Sequence, residues 1–326
     1  MLRVTARRLA WSVPLAITAT AVSFILVAFL PGDAAVSLVG RNATEEQLKQ
    51  VREDLGLEQP VWAQYGQWLE GAVRGDLGNS MINRQPVTAQ LNGRLAPSMS
   101  LIVGATLIAT TLGVAIGILG AQRGRIGRVI DSGSIGGLAV PDFWLGLVLI
   151  VLFAVHLGWF PPTGYVRWNE GVGPWMRSVA LPIATLSVPA TAILARQTRE
   201  AMSTALSKEY VRTLRAAGIG ECSILFRHGL RNAAIPVVTV VGLVFIGSLG
   251  GTVAVESVFA IPGLGSTAVH ATATRDLPLI QGVVVYFTLI VIVVNLLVDL
   301  AYRYLDPRLQ SATATDGAFA NSGAAP

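Results

Sequence analysis

Six stretches of predominantly apolar residues divide this chain, each close to the roughly 20 residues that a helix needs to cross a bilayer. The first runs from about Leu9 to Leu30 and stops at Pro31-Gly32-Asp33. The second covers about Ser98 to Ala121, and the third about Val129 to Leu157 with Pro141-Asp142 interrupting it. The fourth covers about Val179 to Ala195, across Pro182 and Pro189. The fifth covers about Asn232 to Val255 and the sixth about Leu279 to Tyr302. Spans two and five repeat glycine (Gly104, Gly113, Gly117; Gly242, Gly247, Gly250, Gly251), and small residues let helices approach closely in lipid. The pattern predicts an all-α membrane protein with six transmembrane helices. A cleavable signal peptide behind MLRVTARR is the alternative for the first segment, but 22 apolar residues exceed an ordinary signal core.

The polar intervals predict elements of their own. In the long interval 31–97, Thr44-Glu45-Glu46-Gln47 fits a capping box, followed by Leu48, Val51 and Leu55 at helical spacing. Gly56 suits that helix's end. Pro60 can open a second helix at its first position, carrying Trp62, Tyr65, Trp68 and Leu69. These aromatics fit an interfacial anchor; a lip that receives a docking protein is the alternative. The interval 203–231 reads as an amphipathic helical pair. Ser207 is placed to cap the first helix, with Tyr210, Val211, Leu214 and Ala217 as an apolar stripe and Lys208, Arg212 and Arg215 facing elsewhere. Gly218 ends or turns it. Beyond Gly220, Glu221 to His228 can form a second short helix with Cys222, Leu225 and Phe226 on one side. Such a pair either docks a protein or lies on the lipid surface. The tail 311–326 is small and polar and is expected to be disordered.

Composition agrees with the spans. The chain of 326 residues is 52% hydrophobic and 13% charged, against about 25% charged in soluble domains, and its mean hydropathy is +0.59. Charge placement then sets the orientation. Fifteen basic residues lie in the N-terminal segment, the loops after spans two and four and the C-terminal tail. The short opposite loops hold three: Arg167, Arg177 and Arg275. Six more lie in the long interval 31–97 among eight acids, where loop length exempts them from the rule. Both termini are therefore expected in the cytoplasm. One cysteine, Cys222, excludes an intrachain disulfide, and three scattered histidines give no metal-ligand spacing.

The loop string YVRTLRAAG (210–218), followed by FRHGLRNAAIPVVT, resembles the cytoplasmic loop of ATP-binding-cassette importer permeases, in the form typical of the dipeptide and oligopeptide branch. It departs from the short family form, acidic-Ala-Ala then Gly, by carrying Arg212-Thr213-Leu214 ahead of Gly218. The resemblance continues through FLPGD (29–33), DLGLEQPVWAQYGQWL (54–69), RGDLGNS (74–80), PDFWLGLVLI (141–150), GWFPPTGY (158–165), VESVFAIPGLG (255–265), RDLPLIQG (275–282) and NLLVDLAYRYLDPRL (295–309). It covers about residues 1–310 and implies the permease domain of a B-type peptide-importer subunit with the type I fold, in a bacterial inner membrane. It further implies a second homologous permease, two cytoplasmic ATPase subunits or domains, an extracytoplasmic binding protein and a di- or oligopeptide cargo. Tyr210, Val211, Arg212, Thr213, Leu214, Arg215, Ala216, Ala217 and Gly218, with Glu221, Phe226 and His228, would couple to the ATPases. ATP and Mg would bind those partners, since the chain has no G-x-x-x-x-G-K-[ST] phosphate loop. No cofactor and no catalysis are expected in this chain. Within the family, glutathione or nickel is the alternative cargo; nickel wants His-type ligands that the spans do not cluster. An ion-coupled secondary transporter or a channel would carry more intramembrane charge and often repeats, and a membrane scaffold would need no pathway.

Two sets of residues are candidates for the pathway. Asp142 is an acid near the middle of a span, either stabilising a helix restarted after Pro141 or meeting the ammonium group of a passing peptide. Glu256, Phe259, Pro262 and Gly263 belong to a glycine-rich segment that looks like a gate or substrate mouth. Turn-making alone would equally explain Gly263 and Gly265. Asp299 and Arg303, spaced i, i+4, are expected to anchor span six, and His270 is expected in a loop.

Overall fold

Long apolar runs become long helices, but where polar residues continue the helical period the helices outrun the apolar core. The computed structural model describes residues 2–29, 43–54, 58–122 and 140–305, with the single positions 36, 39, 127, 133 and 136. Helix α1 is Leu2–Ala28, α2 Glu45–Asp54, α3 Val61–Val73 and α4 Val87–Gln122. Asp142–His156 forms α5, whose last part, Ile150–His156, winds as a π-helix. Helix α6 is Val172–Leu206, α7 Glu209–Ala216, α8 Glu221–Val258, α9 Leu264–Thr274 and α10 Leu277–Leu305. Among the described residues, five helices are long and apolar enough to cross a membrane: α1, α4, α6, α8 and α10. The third predicted span is described at positions 133 and 136 and continuously from residue 140 onward. Its helix opens at Asp142, directly after Pro141. Pro31–Asp33, Gly56, the arginines at 123, 125 and 128, and the tail from 311 lie outside the described residues.

Several boundaries moved for local reasons. Helix α4 begins at Val87 rather than Ser98 because its first turns are amphipathic: Val87 and Leu91, one turn apart, are fully buried while Gln90 and Arg94 are not. Helix α6 passes through Pro182 and Pro189 and extends beyond Ala195, where Arg196 and Glu200 pair at 3.0 Å. The capping box forms as expected, with Thr44 N–H donating to Gln47 Oε1 at 3.0 Å and Gln47 N–H to Thr44 Oγ1 at 3.3 Å. Pro60 sits one residue earlier than predicted, as the residue preceding α3.

The chain divides into two units. The first comprises Met1–Ile102, Asp142–Thr185 and Ser248–Ile292. Its core joins Leu77, Val87, Leu91, Leu264, Leu279 and Val283, with Trp68 packed against them. Tyr65 meets α1 instead of facing outward: its hydroxyl lies 3.0 Å from Thr20 Oγ1, and its ring meets Phe24 edge-on and stacks on Trp68. Of the three aromatics read as an interfacial anchor, Trp62 is the fully exposed one.

The second unit comprises Val103–Pro141, Leu186–Gly247 and Val293–Pro326. Here the predicted close approach of helices is present. A Cβ on Gly113 would lie 2.6 Å from Leu194 Cβ, and one on Gly117 would lie 2.5 Å from Thr198 Cβ and 2.7 Å from the Ala195 carbonyl. Gly242 is filled in the same way by Val298, whereas Gly247 has open space beside it. Lipid is as apolar as leucine, so this contact is stabilised by van der Waals packing rather than by water exclusion.

Candidate functional site

The helical pair of 203–231 lies in the second unit. Ser207 does not cap α7; its hydroxyl donates back to the Thr204 carbonyl at 2.9 Å and closes the end of α6, a local bond serine readily makes. Lys208, extended at φ −70° and ψ 150°, is the residue that precedes α7. At the other end, Ile219 N–H reaches the Leu214 carbonyl at 3.1 Å and Gly218 N–H the Arg215 carbonyl at 3.0 Å. These two bonds form a Schellman motif, which requires the left-handed backbone that Gly218 adopts at φ +77°. Arg215 then bridges the turn, with Nε 2.6 Å from Glu221 Oε1 and Nη2 3.3 Å from Oε2. The attraction raises the Arg215 pKa further above its ordinary value. The pair spans the turn between α7 and the start of α8.

The predicted stripe is seated in part. Val211 is fully buried, Tyr210 and Leu214 are half-buried and Ala217 is exposed. The Tyr210 hydroxyl accepts a bond from Asn232 Nδ2 at 3.0 Å, tying α7 to α8. Past Glu221–Ser223 the chain winds as a π-helix over Ile224–Gly229. Its wider i→i+5 turn breaks the predicted grouping of Cys222, Leu225 and Phe226. Ile224 and Leu225 point inward, Leu225 onto Ile118, Met202 and Ala233, while Phe226 is 60% exposed and Cys222 faces out. His228 is half-buried. The outward face thus carries Arg212, Thr213, Arg215, Ala216, Ala217, Gly218, Glu221 and Phe226. It offers charge, shape and one aromatic.

The segment read as a gate belongs to the first unit. Glu256 and Phe259 are buried, and Pro262 is exposed. Glu256 Oε1 accepts the Ser98 hydroxyl at 2.5 Å, Oε2 accepts the Ser266 N–H at 2.8 Å, and the Gly265 N–H bonds the same group. Ser98 Oγ in turn accepts the Leu264 N–H at 2.7 Å. The carboxyl group is therefore the N-terminal cap of α9, supplied by another helix, and it satisfies donors that would otherwise be orphaned. Gly263 is extended, not left-handed, and Gly265 is helical. Turn-making explains neither. A Cβ on Gly263 would fall on the Glu256 carboxyl group, and one on Gly265 would lie 2.7 Å from Val253 Cα. The left-handed residue of the turn is Ala260.

Asp276, unremarked in the sequence reading, does the same for α10. Buried, it takes Leu279 N–H at 3.4 Å, Met81 N–H at 3.1 Å and the Ser80 hydroxyl. The signal available was local, an Asp directly before Leu-Pro at a helix start. Asp142 is half-buried in the first turn of α5, where free N–H groups favour an acid. His270, expected in a loop, lies on α9. Between α4, α9 and the start of α10 is a polar cavity of about 490 Å³, lined among others by Asn83, Gln90, Arg94, Glu256, His270 and Asp276.

Residues 113–311 match the family described as binding-protein-dependent transport system inner membrane component, and residues 1–102 match that family's N-terminal region. A probable peptide ABC transporter permease of Sinorhizobium fredii is 41% identical over 289 residues, 88% of this chain and 92% of its own length. A putative peptide transport system permease of Brucella abortus is 37% identical over 93% of this chain and 98% of its length. A glutathione transport system permease of Escherichia coli is 38% identical over 95% and 99%. Among solved structures, a methionine ABC transporter in inward-facing conformations matches with a TM-score of 0.55 at 17% identity, over 67% of this chain and 97% of the other. That likeness concerns the fold.

Proposed function

We propose that this chain, which belongs to the family of binding-protein-dependent transport system inner membrane components, forms half of a translocation pathway for short peptides. It is a multi-pass membrane protein and a permease of the ABC importer class. In our reading it has six spans of the type I fold and both termini in the cytoplasm of a bacterial inner membrane. It pairs with a second homologous permease, and an extracytoplasmic binding protein delivers the peptide. Two ATPase subunits or domains hold ATP and Mg and seat the loop around Gly218.

The observation that carries the coupling role is the outward face of α7 and the start of α8, shaped by the left-handed Gly218 and the Arg215–Glu221 bridge. A surface helix held only by lipid would need neither. Arg212, Thr213, Glu221 and Phe226 make the contact, and movement of α7 passes to the span through the Tyr210–Asn232 bond. Asp142 lines the pathway and meets the peptide ammonium group. Peptide cargo is supported by the names of the relatives in S. fredii and B. abortus; the E. coli relative favours glutathione, itself a tripeptide, as the second reading.

The test is uptake of labelled tripeptide into proteoliposomes holding the assembled importer, with glutathione as competitor. ATP-dependent accumulation is expected. Uptake that persists without nucleotide, or full assembly with no uptake of either compound, overturns the assignment.

A further inference from the structure

The polar cavity of the first unit has a wall whose charges are unevenly committed. Both acids in it are already occupied. Glu256 is spent on Ser98, Gly265 and Ser266, and Asp276 on Ser80, Met81 and Leu279. Each is 1% exposed or less, so neither presents a free oxygen to the space. Arg94 is in the opposite condition. It is half-buried and lines the cavity, and among the described residues no carboxylate or carbonyl takes its guanidinium. Gln90, one turn earlier on α4, lines the same space and exchanges reciprocal amide bonds with Asn83 at 3.1 and 3.2 Å, which fixes the rim. His270 adds a ring from α9.

The Arg94 guanidinium lines the cavity with no acid committed to it among the described residues, so its donors are free to take a ligand's acceptor. Its planar fork matches a carboxylate in two-point contact. The volume falls within the range of small-ligand sites, roughly 300–1,000 Å³, and leaves room for more than the anionic group itself. We propose that this cavity is a carboxylate-binding subsite in which Arg94 is the anchoring residue and Gln90 and Asn83 shape the rim. Given the orientation proposed above, it opens at the extracytoplasmic end of α4. The carboxylate comes either from the C-terminus of a peptide entering the pathway or from an acidic side chain of the binding protein. The first source rests on the peptide reading of the chain; the second needs only a binding protein.

The importer, assembled in nanodiscs, is titrated calorimetrically with trialanine and with trialanine C-terminal amide. With the peptide as source, wild type binds the free acid at least about tenfold more tightly than the amide, the scale of a lost charge-assisted bond. Arg94→Gln then binds both alike, and Arg94→Lys keeps part of the preference. With the binding protein as source, the two peptides bind alike, while Arg94→Gln weakens binding-protein capture by a similar factor and removes part of its salt dependence. Gln90→Glu, which sets a carboxylate beside Arg94 on a half-buried rim, mimics the loss in either case and serves if Arg94→Gln does not assemble. Unchanged peptide discrimination and unchanged capture in assembled Arg94→Gln or Gln90→Glu overturn the subsite. A wild-type importer that accumulates no peptide in proteoliposomes overturns the peptide reading alone, and the capture measurement then decides the subsite.

Discussion

Replacing Glu256 with alanine separates a gate from a staple. The carboxyl group is the acceptor for the Ser98 hydroxyl and for the N–H groups of Gly265 and Ser266, all at the buried start of α9. Each buried donor left without an acceptor costs about 1–3 kcal/mol. With the two N–H groups orphaned and the Ser98 hydroxyl freed to turn, Glu256→Ala should weaken the local structure by about 3 kcal/mol. Glu256→Gln keeps one acceptor and turns the other into a donor. Ser98 can still accept from it, so the loss should be nearer 1 kcal/mol. The readout is hydrogen–deuterium exchange in the peptide that covers Leu264 to Thr267, in the assembled importer. Every 1.4 kcal/mol is tenfold, so Glu256→Ala should speed exchange there roughly a hundredfold and Glu256→Gln by several-fold. Wild-type exchange in Glu256→Ala would refute the capping argument. Lost uptake with wild-type exchange would favour the pathway role for Glu256.

The other substitutions test the helical pair, the packing and the pathway acid. Gly218→Val forces a β-branched residue to a φ of +77°, at a cost of about 1–3 kcal/mol. Uptake should fall while ATP hydrolysis continues and membrane insertion is unchanged, and Gly218→Asn, which tolerates that backbone, should fall less; normal coupling in Gly218→Val would show that the turn does not matter. Gly117→Val drives a side chain into the Ala195 carbonyl and Thr198, atoms that cannot swing aside, so Tm in detergent should drop by an amount matching about 2–3 kcal/mol. Gly242→Ala meets chiefly the Val298 methyl and should cost less. Asp142→Asn should lower the uptake rate at normal accumulation of the protein in the membrane; wild-type uptake would remove Asp142 from the pathway.

What could be read from the sequence was local. A run of about 20 apolar residues announces a span without knowledge of its neighbours, and the helices at Leu9, Asn232 and Leu279 were found that way. The early start of α4 was hidden because hydropathy averages over the face, and Gln90 and Arg94 cancelled Val87 and Leu91. Gly218 was legible because glycine at a helix end carries its own backbone explanation. The π-winding of Ile224–Gly229 was not, since nothing in six consecutive residues distinguishes an i→i+5 turn from an i→i+4 one before packing chooses. That choice is why Leu225 went inward and Phe226 outward.

The two buried acids show where a general rule needs the fold. Acids buried in a membrane protein are costly and are read as functional by default; that reasoning singled out Asp142, while Glu256 drew attention only with its glycine-rich segment and Asp276 drew none. In the folded chain both do one job. Each takes N–H groups at the start of a helix and a serine hydroxyl from far away, Ser98 from 158 positions and Ser80 from 196. No local pattern could supply those partners. Satisfaction of the group, rather than its burial, is what separates structure from function here. A fully partnered carboxyl group has nothing left to offer a ligand, whereas a half-buried guanidinium lacking an acceptor does. By that criterion the charge on the cavity wall left open to a ligand is the cation Arg94, which sequence reasoning passed over as one of six basic residues in a long loop.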